Sequence, residues 1–125
     1  MAPKQFEVGQ KAFIERDGRI LILFRQNGVF DFPGGRIEEG ESDLRASLMR
    51  EVSEETTLEI VVGSPFATWL SGAETVYLVG YKCRFVAGDV ELSDEHIDFQ
   101  WVDASNYHEL DDGSAPYRVL RYFGQ

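Results

Sequence analysis

Cysteine is almost missing from this chain: Cys83 is the only one in 125 residues, so no disulfide can form within it and a disulfide-stapled scaffold is excluded. Basic residues are scarce too, 12 Lys and Arg against 22 Asp and Glu, for a formal charge of −10. Such a chain repels nucleic acid polymers unless its cations segregate onto one face, and no Lys/Arg run does that. No apolar stretch approaches the length of a membrane span, and the first ten residues, "MAPKQFEVGQ", hold none of signal-peptide length. A reducing cytoplasm is therefore the expected setting, with neither nucleic acid polymer nor membrane as partner. Internal repeats, low-complexity tracts and Pro/Ser linkers are absent as well.

What is present is the composition of a globular protein: 43% hydrophobic, 13% aromatic and 27% charged residues. One domain over residues 1–125 is expected, burying roughly two thirds of the surface of the unfolded chain. The acidic balance still admits phosphorylated small molecules, provided a divalent cation sits between carboxylates and phosphates.

The elements follow from pattern. Asp17-Gly18 tolerates positive φ at both positions and predicts a hairpin between strands at Val8–Glu15 and Arg19–Phe24. "NGVFDFPGGRIEEGES" predicts a short strand and an irregular glycine loop. A helix is expected from Ser42 or Asp43, either of which can cap it, to about Thr56, with Leu44, Leu48 and Val52 forming its apolar stripe. Then "LEIVVGSPFATWL", breakable at Gly63-Ser64-Pro65, "ETVYLVGYKCRF" and "FQWVD" read as strands, the first two joined by a turn at 71–74. Cys83 falls in one of them and reads as a structural thiol. Pro116 starts a second predicted helix with Val119, Leu120 and Phe123 inward. This order predicts an α/β fold with a mixed sheet between helices.

The chemistry concentrates on the first helix. At about 100° per residue, with Leu44 at zero, Glu54, Glu51 and Glu55 fall near ~280°, ~340° and ~20°, on one side and against the buried stripe. Like charges at these spacings repel, and Arg50 alone cannot offset three glutamates. Two readings are open: a solvated acidic face, or ligands for a hard cation such as Mg²⁺. The preceding loop favours the second, because Gly34-Gly35 lets backbone approach a ligand and Glu41 can orient Arg50 through a charge-assisted bond.

This stretch resembles the signature of the Nudix (MutT-like) hydrolases, G-x5-E-x7-R-E-U-x-E-E-x-G-U, where U is a bulky aliphatic residue. Gly35 takes the first glycine, Glu41 the first glutamate, Arg50 to Glu55 reproduce R-E-U-x-E-E, and Leu58 takes the last place. "FDFPGG" is similar to the family's lead-in. Two features depart from the pattern. Eight residues, not seven, separate Glu41 from Arg50, which predicts a surplus residue near the helix start or a bulge within it. Thr57 stands where the family has glycine; since β-branched residues resist the left-handed conformation, a different helix ending is expected, with the metal ligands intact.

The resemblance implies an α/β/α sandwich and hydrolysis, dependent on Mg²⁺ or Mn²⁺, of a nucleoside diphosphate linked to another group. By position it makes Glu51, Glu54 and Glu55 metal ligands together with the Gly34 carbonyl, and gives catalytic roles to Glu51, Glu54, Arg50 and Glu41. Gly34, Gly35 and Arg25 are placed on the substrate; Arg25 can equally cap its strand end. A further carboxylate from outside the signature is expected at Glu95, with Glu91 and Asp94 as competitors. His96 and His108 read as surface residues, since Mg²⁺ prefers oxygen. Trp69, Tyr77, Phe30 and Trp101 read as core before base-stacking residues.

Marks of particular subfamilies are missing. The proline expected of ADP-ribose hydrolases falls on Ala73, and the tyrosine of dinucleoside polyphosphate hydrolases on Thr75. Near the second helix, Asp112 and Ser114 offer no base-reading asparagine. By elimination the expected substrate is a nucleoside triphosphate or related small nucleotide, the alternatives being ADP-ribose, a nucleotide sugar or a dinucleoside polyphosphate. A non-catalytic nucleotide sensor is the alternative of another class. The chain is expected to act as a monomer or homodimer.

Overall fold

The computed structural model describes residues 1–103 and 105. The predicted helix from Pro116, together with His108, Asp112 and Ser114, lies outside the described residues. The element order is β1 (Glu7–Arg16), β2 (Arg19–Phe24), β3 (Phe30–Asp31), β4 (Gly34–Arg36), α1 (Leu44–Thr56), β5 (Glu59–Leu70), β6 (Val76–Ala87) and β7 (Asp98–Asp103).

The strands form one mixed sheet ordered β3-β2-β1-β6-β5, with β4 on β1 and β7 on β2. At its centre β1 runs parallel to β6, from Glu7 opposite Val76 to Glu15 opposite Arg84. The hairpin between β1 and β2 turns through Asp17 and Gly18 at φ 51° and 79°, the pair of positive angles that matches strand twist.

Alternation along β1 and β2 sends side chains to both faces. Ala12, Ile14, Leu21 and Leu23 join Leu48 and Val52 of α1 on one side. Phe13, Ile20 and Ile22 join Phe30, Phe32 and Val102 on the other. This is why "RILILF" reads as an unbroken apolar run: both of its faces are buried. Each such side chain contributes about 1.5–3 kcal/mol by leaving water.

Asp43 caps α1, its Oδ1 accepting from the Ala46 amide at 3.1 Å. The helix is unbroken from there, so the surplus residue of the signature is taken up ahead of the cap and not by a bulge. The buried face comprises Ser47, Leu48, Val52, Glu55 and Thr56. Leu44, expected in the apolar stripe, is instead 38% exposed, and it meets the sheet through its carbonyl, which accepts from Gln10 Nε2 of β1.

β5 is continuous where a break at Gly63-Ser64-Pro65 was possible. Its register with β6 shifts on either side of Pro65, whose missing N–H cannot join the ladder. A second correction concerns Thr57, which ends α1 at φ 62° and ψ 9°, the left-handed ending expected of glycine. That conformation costs an L-residue about 1–2 kcal/mol. Two bonds offset it: the Thr57 amide donates to the Ser53 carbonyl at 2.9 Å, and Oγ1 donates to the Asp89 carbonyl at 2.6 Å. No helix of the described residues is long and apolar enough to cross a membrane.

Candidate active site

The site begins with the two glycines of β4, which pairs with Gly9–Lys11 of β1 and runs under α1. Gly34 sits at φ 152°, and a Cβ there would collide with the Gln10 carbonyl. A Cβ on Gly35 would lie 2.6 Å from Glu51 Cδ, so the absence of a side chain makes room for that carboxylate. The Gly34 amide donates to Glu55 Oε2 at 3.3 Å. Strand and helix are thus joined through the glutamates.

Glu51 and Glu55, one turn apart, both line a cleft of about 1110 Å³. Glu55 is 6% exposed, and burial pushes its carboxyl up to about 7 despite the opposing influence of Lys11 and the Gly34 amide. Burial raises Glu51 as well, against the pull of Arg50. Glu54 turns away: it is 58% exposed at the side chain and binds Arg50 Nη1 at 3.0 Å. The same guanidinium reaches Glu41 and Glu51, each at 3.2 Å from Nη2. The expected Arg50–Glu41 pair therefore exists despite the surplus residue, braced by Glu41 accepting from the Glu38 amide at 2.8 Å. Hydrogen bonds to Glu54 and Glu41 hold the guanidinium pKa above its ordinary value.

Glu95 reaches the cleft from the segment between β6 and β7. Ligating atoms of Glu55, Glu95 and His96 lie within 4.8 Å of one another, whereas Glu91 and Asp94 do not enter this group. His96 corrects the expectation of a surface histidine. It is 7% exposed, and its Nε2 stands 3.7 Å from Asp31 Oδ2.

Asp31 organises the opposite wall. Arg25 Nη2 lies 2.7 Å from its Oδ2, and Lys11 Nζ lies 3.1 Å from its Oδ1. Burial works against its charge, but His96, Lys11 and Arg25 outweigh that and hold the carboxyl well below the usual range. Lys11 and Asp31 were not singled out from the sequence. The available signal was a charged residue inside an apolar strand run, "QKAFI" and "VFDF". Arg25 borders the cleft and is paired, with its side chain 54% exposed.

Trp69, Val76 and Leu78 line the same cleft, together with Ser71 and Glu74. Phe30 borders it too; Trp101 packs edge-on against Phe85, and Tyr77, read as core, is 38% exposed because its strand position points outward.

The residues fit a divalent cation. Glu51, Glu55 and Glu95 are hard oxygen donors on one cleft, and two of them are held in surroundings that disfavour uncompensated charge. The buried Nδ1 of His96 has no hydrogen-bond partner among the described residues, leaving a polar atom for the water shell of a hydrated ion.

A mixed sheet with a glycine-floored, carboxylate-lined cleft is the arrangement of a metal-binding phosphate site. Residues 7–123 match the family described as NUDIX domain, and the chain belongs to that family, whose hydrolases use divalent metals. It is 44% identical over 117 residues to a CTP pyrophosphohydrolase of Escherichia coli (strain K12), covering 89% of this chain and 77% of that protein. A MutT-like protein of Streptomyces ambofaciens is 26% identical over 97 residues, covering 77% of this chain and 62% of the relative. Among solved structures, the MutT protein from Methanosarcina mazei Go1 superimposes with a TM-score of 0.82 at 27% identity, over 99% of this chain and 96% of that one.

Proposed function

We propose that this chain is a pyrophosphohydrolase dependent on Mg²⁺ or Mn²⁺ that cleaves a nucleoside triphosphate, with CTP or a close pyrimidine relative as the leading substrate. The observation that carries the reading is the convergence of Glu51, Glu55 and Glu95 on one cleft that Trp69, Val76 and Leu78 also line. The relative named as a CTP pyrophosphohydrolase supports the choice of nucleotide. A cytoplasmic setting accords with the one reduced cysteine, Cys83.

In this reading Glu51, Glu55 and Glu95 would hold the cation with the Gly34 carbonyl, and Glu54, here paired with Arg50, would have to turn inward to join them. When bound, the ion neutralises phosphate oxygens and lowers the pKa of a water. Arg50 orients Glu51 and Glu54 and is itself braced by Glu41. Gly34 and Gly35 leave space for the polyphosphate, and Arg25, held by Asp31, faces its oxygens. Water adds to one phosphorus of the anhydride, the bridging P–O bond breaks, and a cleft carboxylate takes the proton. The base lies against the wall of Trp69 and Leu78.

A panel of NTPs, dNTPs, nucleotide sugars, ADP-ribose and dinucleoside polyphosphates, incubated with Mg²⁺ and resolved by mass, tests this. Release of a nucleoside monophosphate and pyrophosphate, led by CTP, is the expected result. Nucleotides that raise the melting temperature yet stay intact would establish a sensor instead.

A further inference from the structure

The segment 88–97 carries Glu95 and His96 to the cleft, and it is fastened to the C-terminal end of α1. The Glu91 amide donates to the Thr56 carbonyl at 3.0 Å and the Ser93 amide to the Glu55 carbonyl at 3.1 Å. These two backbone bonds also satisfy carbonyls that a helix end leaves open. A side chain supplies the third: Thr57 Oγ1 donates to the Asp89 carbonyl at 2.6 Å. Glycine, which the signature places here and which adopts φ 62° without strain, could make neither that bond nor any other side-chain contact.

From this we infer that Thr57 is a positioning residue: its hydroxyl ties the 88–97 segment to α1 and so sets Glu95 and His96 against Glu55. Thr57 keeps a conformation that its β-branch disfavours, which requires the surroundings to over-determine it. Here the fixing contact leads directly to the segment bearing an outer ligand. Three successive residues of the helix end, Glu55, Thr56 and Thr57, thereby hold three points of that segment, and Glu55 is itself in the cleft. The functional half of this inference rests on the reading of Glu95 as a metal ligand.

The experiment compares wild type, Thr57→Gly, Thr57→Ser and Glu95→Gln in the full chain. Amide hydrogen exchange at Glu91 and Ser93 is measured beside Mn²⁺ affinity, by titration with paramagnetic resonance. Glycine relieves the backbone, so Thr57→Gly folds; its Glu91 and Ser93 amides are expected to exchange faster, and its Mn²⁺ affinity to fall by about tenfold. Thr57→Ser, which keeps the hydroxyl, should match wild type in both. Unchanged exchange in Thr57→Gly would overturn the tether. Faster exchange with unchanged affinity would overturn its positioning role. Unchanged affinity in Glu95→Gln would instead remove the ligand reading beneath it, a result separable from the exchange data.

Discussion

Gly35 and Glu51 occupy one space: the glutamate carboxyl carbon lies 2.6 Å from where a Cβ of residue 35 would stand. The strand and helix can approach each other only while residue 35 has no side chain. Gly35→Ala therefore has to displace either Glu51 or β4. Because β4 is held on β1 by pairing of Gly34, Gly35 and Arg36 with Lys11, Gln10 and Gly9, the carboxylate moves. Mn²⁺ affinity is expected to drop at least about tenfold while far-ultraviolet circular dichroism stays that of wild type. Isothermal titration with Mn²⁺ checks this.

Glu55 makes the metal-free protein less stable as pH rises. Its folded pKa of about 7 lies above the value near 4.5 of a free carboxyl, so between these limits the unfolded chain has released a proton that the folded chain still holds. Stability in the presence of a chelator falls through that window, by on the order of 3 kcal/mol in total, and levels above it. Urea melts at stepped pH should show the fall in wild type and a flat line from this group in Glu55→Gln. Metal binding, which needs the carboxylate, tightens over the same window.

Asp31 acts with the opposite sign. Its folded pKa is lowered, so its contribution is present above the ordinary carboxylate range and is lost on acidification toward the folded value. Asp31→Asn leaves the largely buried Lys11 ammonium without its carboxylate, and a loss of about 3 kcal/mol is expected at neutral pH, read from the urea midpoint.

The legible parts of the fold were those written in local pattern. Asp17-Gly18 announced the hairpin, and the spacing of Leu48, Val52, Glu51 and Glu55 placed carboxylates beside the buried stripe of α1. Much of the site was not local. Lys11, Asp31 and His96 come from β1, β3 and the segment before β7, and only the sheet order brings them together with Arg25, which was already expected on the substrate. A histidine in a polar stretch, "SDEHID", carries no sign that it will be buried against Asp31. Thr57 shows the limit of propensity: the β-branch argued against a left-handed ending, and the Asp89 carbonyl, 32 residues away in sequence, prevailed. Glu54 illustrates the converse. Its helical angle placed it with the other glutamates, but Arg50, one turn earlier, draws its carboxylate outward.

Metal-dependent cleavage of CTP by wild type, Glu51→Gln and Glu55→Gln tests the central claim most directly. Followed by phosphorus NMR with Mg²⁺ or with chelator, wild type should yield CMP and pyrophosphate only when metal is present, and each variant should lose about a hundredfold or more of that rate. Undiminished cleavage in chelator, or full rates in both variants, would contradict the assignment of this cleft.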